Sequence, residues 1–404
     1  MSSEEWRRVP IGLDAGKWVT RSGCRTVLVA VHTLTAGQRL LDVVRLLEDD
    51  LRVQVVFTKA PDVFNDGVDE FLRAVRGAVI PWRQSVDQAF ALALAASYGR
   101  IHEIHAPLIV LPHGVGYNKL ARGGPAGRVA GPGTPYGLDA QRLMHNGSVV
   151  PASIVLAHDS ERVRLARSCP EAMPAASVVG DPTYDRLVVS RPLREVYRRA
   201  LEVAPGRRLI VVTSTWGPNS LFAVRHDLLE RLTAEASAEG HRVVAMFHPN
   251  VWFGHGPLQV ESWLAQSRRQ GLVLIPPDTD WRGAMVAADW VVGDHGSATV
   301  YGAVTGAPVL VTGSSPDDVD PVSPASRLAA HAPRLDDGAP LLPQLHRAAA
   351  EHTPDRLRPV VEHITSEPGR FNRNMRRVIY RLLGLSTPAS IPITEPVAPP
   401  ELET

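Results

Sequence analysis

Residues 289–310 restrict the fold of this chain more than any other stretch, because three structural signals follow one another without a gap. An apolar run that ends in the Gly-Asp pair at 293–294 predicts a short buried strand of a parallel sheet. The segment from 295 onward leads into an apolar run closed by Gly306, which predicts a tight turn and a helix with a C-terminal glycine. A further apolar run predicts a second strand. Together these elements predict an α/β fold with parallel strands.

The turn inside this stretch has the features of an anion site. The first N–H groups of a helix have no partner within the helix, and the helix dipole favours negative charge beside them. We expect a nucleotide diphosphate to bind here, through the backbone of the first turn and the hydroxyls of Ser297 and Thr299. Asp294 is open to two interpretations, a contact with a ribose or a bond to the turn backbone. An ordinary strand-to-helix connection is the alternative for the whole turn.

The same alternation of strand and helix begins twice, on either side of Ala204-Pro205-Gly206. In the first half, strands over 25–32 and 52–58 with a helix over 38–48 predict a βαβ unit with a right-handed crossover. In the second half the pattern restarts with a strand over 209–213. A chain of 404 residues also suits two domains rather than one. We therefore expect two Rossmann-like domains that face each other across a ligand cleft.

The predicted organisation has five segments. They are a polar N-terminal segment (1–23), an N-terminal Rossmann-like acceptor domain (24–203), a C-terminal Rossmann-like nucleotide-donor domain (204–350), helices that are candidates for crossing back to the first domain (351–385) and a disordered tail rich in Pro and Glu (386–404). Within the first domain, residues 85–97 are predicted to form an apolar helix. Residues 117–139, which are rich in Gly and Pro, predict a mobile basic loop that includes Lys119, Arg122 and Arg128.

Composition excludes several classes of protein. The 43 Lys and Arg residues balance the 42 Asp and Glu residues, which argues against a nucleic-acid partner. Only two cysteines occur, so a disulfide framework is not expected and a reducing cytoplasm fits. No apolar run reaches the length of a membrane span, although the basic loop and the Arg-rich helix over 371–383 are candidates for peripheral membrane contact. His102 and His105 lack an evident third ligand, so no metal and no cofactor are predicted.

Short motifs at the ends of predicted strands resemble, in their order, those of the CDP-glycerol glycerophosphotransferases, the teichoic acid polymerases. The motifs are HGVGYNKL (113–120), GDPTYDRL (180–187), TSTWG (213–217), FHP (247–249) and GDHGSATVYGAVTGAPVL (293–310). The resemblance implies a GT-B glycosyltransferase fold, a cytoplasmic enzyme that serves the cell envelope and a CDP- or UDP-linked donor. It spans roughly residues 108–310.

On the acceptor side, the resemblance implies that His113 is the base of a His-Gly motif and that Lys119 belongs to the same motif. An imidazole with a pKa near neutrality suits the removal of a proton from an acceptor hydroxyl. His32 also ends a predicted strand, and is therefore a rival base or a part of the acceptor site. For His113, a purely structural role in the turn before Gly114 is the alternative.

On the donor side, Thr215 and Trp216 match part of a Pro-Thr-Trp-Arg motif, and His248 matches a His that is associated with the donor phosphate. We therefore expect His113 and His248 to be catalytic. The donor-binding residues are expected to be Thr215, Trp216, Asp294, His295, Gly296, Ser297, Ala298 and Thr299. A structural role beside Pro249 is the alternative for His248.

The predicted reaction transfers a glycosyl or polyol-phosphate group from a nucleotide diphosphate to an acceptor hydroxyl. Two alternatives stay open. Gly217 replaces the Arg of the family motif, and His295-Gly296 replaces a Tyr-Ser pair, which favours a nucleotide- or partner-binding protein without catalysis. The Gly-Ser turn is also similar to that of sugar-nucleotide epimerases, although the paired carboxylates that an epimerase needs are not evident.

Overall fold

The computed structural model describes residues 6–11, 15–121, 133–313, 317, 319–390 and 392–400. The chain divides into two compact units. Unit 1 comprises Met1–Pro182 and Ser366–Ile393, and unit 2 comprises Thr183–Thr365 and Thr394–Thr404. The division therefore falls directly before Thr183, about twenty residues ahead of the sequence-based boundary at 204.

Unit 1 is built on a seven-stranded sheet in which every strand pair is parallel. Its strands, with a separate two-stranded ribbon formed by β6 and β7, are Arg25–Val31 (β1), Val53–Lys59 (β2), Ala78–Ile80 (β3), Leu92–Ala95 (β4), Leu108–Val110 (β5), Met144–His145 (β6), Ser148–Val149 (β7), Ser153–Leu156 (β8) and Ala176–Val178 (β9). The sheet order is β3-β2-β1-β4-β5-β8-β9. The helices of the first 182 residues are Leu34–Val44 (α1), Val68–Val75 (α2), Trp82–Val86 (α3), Ala140–Leu143 (α4) and Asp159–Ser168 (α5).

The central strand β1 is buried on both faces. Val27, Val29 and Val31 belong to one hydrophobic core, while Leu28 and Ala30 belong to another on the opposite side of the sheet. Alternate residues of a strand point to opposite faces, so a continuous apolar run is what a strand between two layers requires. This is the pattern from which the strand was predicted.

The prediction of a helix over 85–97 is wrong. Only α3 is helical there, and Leu92–Ala95 forms β4, which pairs with β1 and β5 in the middle of the sheet. Alanine and leucine favour helices in isolation. Every residue of β4 is buried, however, and the free energy of burial between two neighbouring strands outweighs that preference.

Unit 2 repeats the design with a five-stranded parallel sheet in the order β12-β11-β10-β13-β14. Its strands are Leu209–Ser214 (β10), Arg242–Phe247 (β11), Val273–Ile275 (β12), Trp290–Gly293 (β13) and Val309–Val311 (β14). The helices, in chain order, are Pro182–Ser190 (α6), Arg194–Ala200 (α7), Leu221–Val224 (α8), Leu228–Ala238 (α9), Pro249–His255 (α10), Pro257–Trp263 (α11), Ala265–Arg269 (α12), Arg282–Ala287 (α13), Ser297–Thr305 (α14), Pro324–His331 (α15), Leu341–Ala350 (α16) and Pro354–Val361 (α17). The strand, helix and strand predicted from residues 289–310 are β13, α14 and β14, and Gly306 ends α14 in the left-handed conformation as expected.

The last helix, Phe371–Leu383 (α18), belongs to unit 1. Phe371, Met375 and Ile379 lie on one of its faces at helical spacing and are fully buried in the unit 1 core. The arginines of the helix were candidates for membrane contact. Arg376 is buried, so at least this side chain is committed to the protein.

The C-terminal residues 394–400 belong to unit 2 and differ from the predicted disordered tail. The N–H of Val397 donates to Ser190 Oγ over 3.0 Å, and Tyr197 Oη donates to the carbonyl of Val397 over 2.8 Å. Both partners lie on the α6–α7 segment. Proline restricts an extended chain before it docks, which lowers the entropy lost on ordering, so a Pro-rich composition alone did not decide between a docked and a free segment.

Candidate functional site

The strand order gives each unit one point where the chain reverses its direction across the sheet. In unit 2 the connections from β10 proceed through β11 to β12, and those from β13 proceed to β14 on the other side. In unit 1 the same reversal lies between β1 and β4. Open α/β sheets bind ligands at the carboxyl ends of the strands at such a point. The predicted site residues of each unit can therefore be compared with a location that the topology defines independently.

Asp294 connects the loops that follow β10 and β13. Its Oδ2 accepts hydrogen bonds from the N–H groups of Thr215 (2.9 Å) and Leu221 (2.8 Å). Its Oδ1 accepts from the N–H of Gly296 over 3.0 Å. Of the two roles expected for Asp294, the bond to the turn backbone is present. The carboxylate thereby fixes Thr215 and Gly296, both predicted donor-binding residues, on adjacent loops.

Beneath these loops, Thr213 Oγ1 and Thr299 Oγ1 lie 2.7 Å apart, and Thr299 is fully buried. The Thr299 hydroxyl was expected to contact the donor, but it joins β10 to α14 instead. Gly293 leaves room for this bond, because a Cβ there would lie 2.3 Å from Thr299 Oγ1 and 2.5 Å from Thr213 Oγ1. Sequence reasoning missed this contact, since nothing in the sequence pairs residues 86 positions apart.

We expect Gly293→Ala to lower the free energy of unfolding by about 1–3 kcal/mol, because the added methyl must displace two buried hydroxyls. Denaturant unfolding measures the change. Gly254→Ala in α10 is the matched control: a Cβ there meets nothing within 4 Å, so that variant should be neutral or slightly stabilised. Equal unfolding midpoints for the Gly293 variant and the wild type would contradict the close packing.

The first turn of α14 lies at the carboxyl end of β13. Its N-cap residue is Gly296, which has no side chain that can accept from the first N–H groups. His295, Gly296, Ser297 and Ala298 are all partly exposed. The nine-residue helix α14 begins at this edge of the sheet, and its N-terminus is partly exposed. The positive end of the helix dipole there favours an anion such as a phosphate.

His248 follows β11 directly and is half-buried. Its Nδ1 accepts a hydrogen bond from the N–H of Asn250 over 3.1 Å, so the proton of the neutral ring is on Nε2. In the neutral ring, Nε2–H is therefore the donor. Trp216, on the neighbouring loop, lies with its ring centroid 6.1 Å from that of His248, and it also packs on the unit 2 core.

In unit 1, His32 directly follows β1 and is fully buried. Its Nε2 lies 2.8 Å from the carbonyl oxygen of Gly99, which can only accept, so the ring proton is on Nε2. Burial lowers the pKa of His32 below its ordinary value of 6.5. Because its Nε2 proton is held by a carbonyl and the ring is inaccessible, His32 is better placed to shape the site than to act as the base.

His113 has the opposite orientation. Its Nδ1 lies 3.0 Å from the carbonyl oxygen of Ala96, just beyond β4, so Nδ1 carries the proton and Nε2 carries the lone pair. The side chain is exposed, yet the protein around it lowers its pKa from 6.5, with desolvation as the largest cause. The ring is thus neutral at pH 7 and able to accept a proton. Lys119, six residues along the same segment, is exposed.

Two buried groups that sequence reasoning missed hold the loop of His113. Arg39, on α1, donates from Nη2 to the carbonyl of Gly114 over 2.9 Å and lies 3.5 Å from the Asp181 carboxylate. The side chains of Arg39 and Asp181 are only 4% and 2% exposed, so each charge is compensated by the other. The sequence held a signal for one of them, since Asp181 belongs to the GDPTYDRL motif.

Glu161 holds the far end of the same loop. Its carboxylate accepts from the N–H groups of Tyr117 (3.3 Å) and Ala157 (2.7 Å), and Arg164 donates to the carbonyl of Tyr117. Burial raises the pKa of Glu161 above its usual 4.5. The basic residues Arg122 and Arg128, which were predicted to lie in a mobile loop, fall outside the described residues.

No protein-family model matches the sequence, and no curated protein matches it either. Among solved structures, the chain is similar to the wall teichoic acid polymerase TagF. A TagF variant after a 15 minute soak with CDPG aligns with a TM-score of 0.61 at 11% identity, over 89% of this chain and 88% of that one. The TagF variant itself gives 0.56 at 10% identity, over 90% and 89%. The Anabaena Alr3699/HepE structure in complex with UDP-glucose gives 0.49 at 12% identity, over 89% and 99%.

The fold is of the GT-B type that the sequence predicted. At this level of identity, the likeness to TagF shows a shared fold and confirms the predicted α/β class with parallel sheets. The narrower prediction, a CDP-glycerol glycerophosphotransferase, is supported only at the level of the fold. In the described part of the chain, no helix combines the length and the apolar character that a membrane crossing needs.

Proposed function

We propose that this chain is a transferase that moves a glycosyl or polyol-phosphate group from a CDP- or UDP-linked donor to an acceptor hydroxyl. One observation carries the proposal: in both units, the groups that this chemistry needs gather where the strand order reverses. Unit 2 has a helix N-terminus and an imidazole N–H donor there. Unit 1 has an imidazole whose Nε2 lone pair is left for a proton. The fold shared with TagF, which was soaked with CDPG, supports a CDP-linked donor.

In the proposed reaction, His113 Nε2 takes the proton of the acceptor hydroxyl as its oxygen attacks the donor. The electron pair of the broken bond passes to a phosphate oxygen. The first N–H groups of α14 and His248 Nε2–H stabilise the charge that develops there. The nucleotide is bound by Thr215, Trp216 and the segment from Asp294 to Thr299. This segment binds through its backbone. His32 and Lys119 belong to the acceptor side.

The two transferable groups leave different products. Attack on a sugar carbon breaks the bond to the terminal phosphate oxygen and releases a nucleoside diphosphate. Attack on the terminal phosphorus of a CDP-polyol breaks the P–O–P bridge and releases CMP. The identity of the released nucleotide therefore tells which group is transferred, even when the acceptor is water.

We expect slow release of free nucleotide from at least one member of a panel that contains CDP-glycerol, CDP-ribitol, UDP-glucose and UDP-N-acetylglucosamine. Chromatography of the nucleotides measures both the rate and the product. The donor should also raise the melting temperature, because a ligand that binds only the native state stabilises it. Donor-induced stabilisation without turnover would favour the binding protein without catalysis. A flat response in both assays would remove the donor site.

The alternative without catalysis rests on Gly217, which stands where the related motif has Arg. Gly217 has a φ of +89°, a conformation that a side chain rarely adopts. The loop after β10 therefore turns at a glycine. The absence of the Arg goes together with a backbone conformation that favours Gly217, and is more than the loss of one charge. We expect turnover to be slow because this loop lacks the positive charge of that Arg.

A further inference from the structure

We propose that Glu239, His241 and His346 form a binding site for Zn²⁺ or a similar divalent transition metal on unit 2. Within the described ranges, these residues are the one group in which at least three His, Cys, Asp or Glu side chains bring ligand atoms together, all within 4.8 Å of one another. They are distant in sequence. Glu239 and His241 flank the turn between α9 and β11, whereas His346 lies on α16.

The distances fit a tetrahedral metal. Glu239 Oε2 lies 3.4 Å from His241 Nε2 and 3.6 Å from His346 Nε2. Two ligands of a tetrahedral Zn²⁺ lie about 3.3–3.5 Å apart when each metal–ligand bond is about 2.0–2.1 Å. The Glu239 oxygen is therefore separated from each imidazole nitrogen by about the distance expected between two ligands of one zinc ion. Two neutral imidazoles and one carboxylate are a donor set that zinc accepts, with a fourth position left for water.

A buried tryptophan holds both rings. The Trp290 side chain lies with its ring centroid 5.4 Å from that of His346, at an interplanar angle of 23°, and 5.9 Å from that of His241. Trp290 is the first residue of β13 and is only 4% exposed. The imidazoles are therefore partly preorganised against a rigid strand, which reduces the entropy that a metal must overcome to order its ligands.

Two arginines lie near the proposed metal ligands, and their positive charge should keep the affinity for a metal cation modest. Arg207 donates to the carbonyl of Glu239 over 2.7 Å, and the Arg208 guanidinium lies 3.1 Å from the Asp289 carboxylate, which compensates its charge.

Metal binding requires one proton shift. The N–H of Arg208 lies 3.4 Å from His241 Nδ1, which places the ring proton on Nε2 in the metal-free protein. A metal on Nε2 moves this proton to Nδ1 and gives up the Arg208 contact. At 3.4 Å that hydrogen bond is long, so its loss costs little.

The metal would clip α16 to the α9–β11 turn, and we infer a structural role. The ligands lie at the opposite end of β11 from His248, since Arg242 begins that strand and Phe247 ends it. The metal ligands are thus separate from the proposed transferase residues, so stability and stoichiometry report on the metal without any measurement of turnover.

Calorimetry and thermal unfolding of the full chain with ZnCl₂ test the site. We expect one Zn²⁺ per chain and a melting temperature that rises by roughly 5–11 °C at a hundredfold excess over Kd. His346→Ala should lose both effects. His346 is 50% exposed, so this variant should fold like the wild type without metal. Glu239→Gln, which keeps the shape of the side chain, should weaken binding at least tenfold.

The control is His226→Ala, which removes an exposed histidine that is not one of the three proposed ligands and should leave binding unchanged. Co²⁺ provides an independent readout, because tetrahedral coordination gives visible absorption bands that His346→Ala should abolish. An equal zinc response in the wild type and in His346→Ala would overturn the site. So would the absence of any response in the wild type.

Discussion

His113→Asn is expected to lower kcat/KM about 10²–10⁴-fold with whichever donor is turned over. The asparagine amide can still donate to the carbonyl of Ala96, as His113 Nδ1 does, so the loop should keep its conformation. Only the Nε2 lone pair is lost. Melting temperature and donor-induced stabilisation should therefore stay close to the wild-type values, and the effect should appear in the rate alone.

The pH profile separates a base from a structural histidine. A base works only when it is unprotonated, so kcat/KM should fall tenfold per pH unit below the pKa of His113. That pKa is lowered from 6.5, chiefly by desolvation, so the rate should already be constant at pH 7 and decline only in more acidic solution. His113→Asn should lose this acidic limb. His226→Ala, an exposed control, should keep both the rate and the limb.

A wild-type rate in His113→Asn would remove the residue from the mechanism. If the rate falls but the acidic limb persists, another group is the base, and His32→Gln becomes the next variant. His32 is fully buried, so that substitution needs a stability measurement beside it. A wild-type rate and a lowered rate with the acidic limb retained are thus distinguishable results, and only the second makes His32 the next residue to test.

Asp289→Asn should destabilise unit 2 by about 3–5 kcal/mol, near the lower end of that range, because it leaves the buried Arg198 with only the exposed Glu195 carboxylate as a counter-charge. The Asp289 carboxylate accepts from Arg198 (2.7 Å), Arg194 (2.9 Å) and the N–H of Leu209 (2.8 Å). Asp289 and Arg198 are only 8% and 10% exposed, whereas Arg194 is 36% exposed and regains water when its partner is lost. The melting temperature should fall by roughly 6–12 °C.

The pKa of Asp289 gives the same prediction a pH dependence. Burial raises this pKa, but the hydrogen bonds from Leu209 and Arg198 outweigh it, so the pKa lies below 3.8 in the folded state. A carboxylate whose folded pKa is depressed contributes stability above its unfolded pKa. That contribution is lost as the pH falls below 3.8 through the folded value. The wild type and Asp289→Asn should therefore converge in stability in acid.

Asp355→Asn is the matched control, since the side chain of Asp355 is 81% exposed on α17 and should change stability by less than about 0.5 kcal/mol. Chemical denaturation at pH 7 and in acid measures both variants. A destabilisation of Asp289→Asn that does not diminish in acid would mean that packing, rather than the ion pairs, holds this corner of the sheet.

Local sequence patterns predicted much of the fold correctly. Strand β1 is a continuous apolar run, and α14 is bounded by a turn and by Gly306, so both carry their signals within a few residues. Such signals depend on side-chain periodicity and on backbone preference, which neighbouring residues determine. The order of these elements was enough to predict two α/β halves and the strand ends at which His32, His113, His248 and Asp294 lie.

Where the prediction was wrong, a distant contact overrode a local preference. Residues 92–95 have the composition of a helix, yet they form β4 because β1 and β5 bury them from both sides. Residues 394–400 have the composition of a tail, yet they dock through Val397 on Ser190 and Tyr197. In both cases the deciding energy comes from partners that a local window does not contain.

For the candidate site, the sequence by itself determined which residue types stand at which strand ends, because the motifs are local. Only the tertiary structure decided what each side chain does. It placed the proton of His113 on Nδ1 and that of His248 on Nε2, and it tied the Thr299 hydroxyl to Thr213. The physical reason is that a hydrogen bond depends on distance and direction in space, and the partners in two of these bonds are 17 and 86 residues apart along the chain.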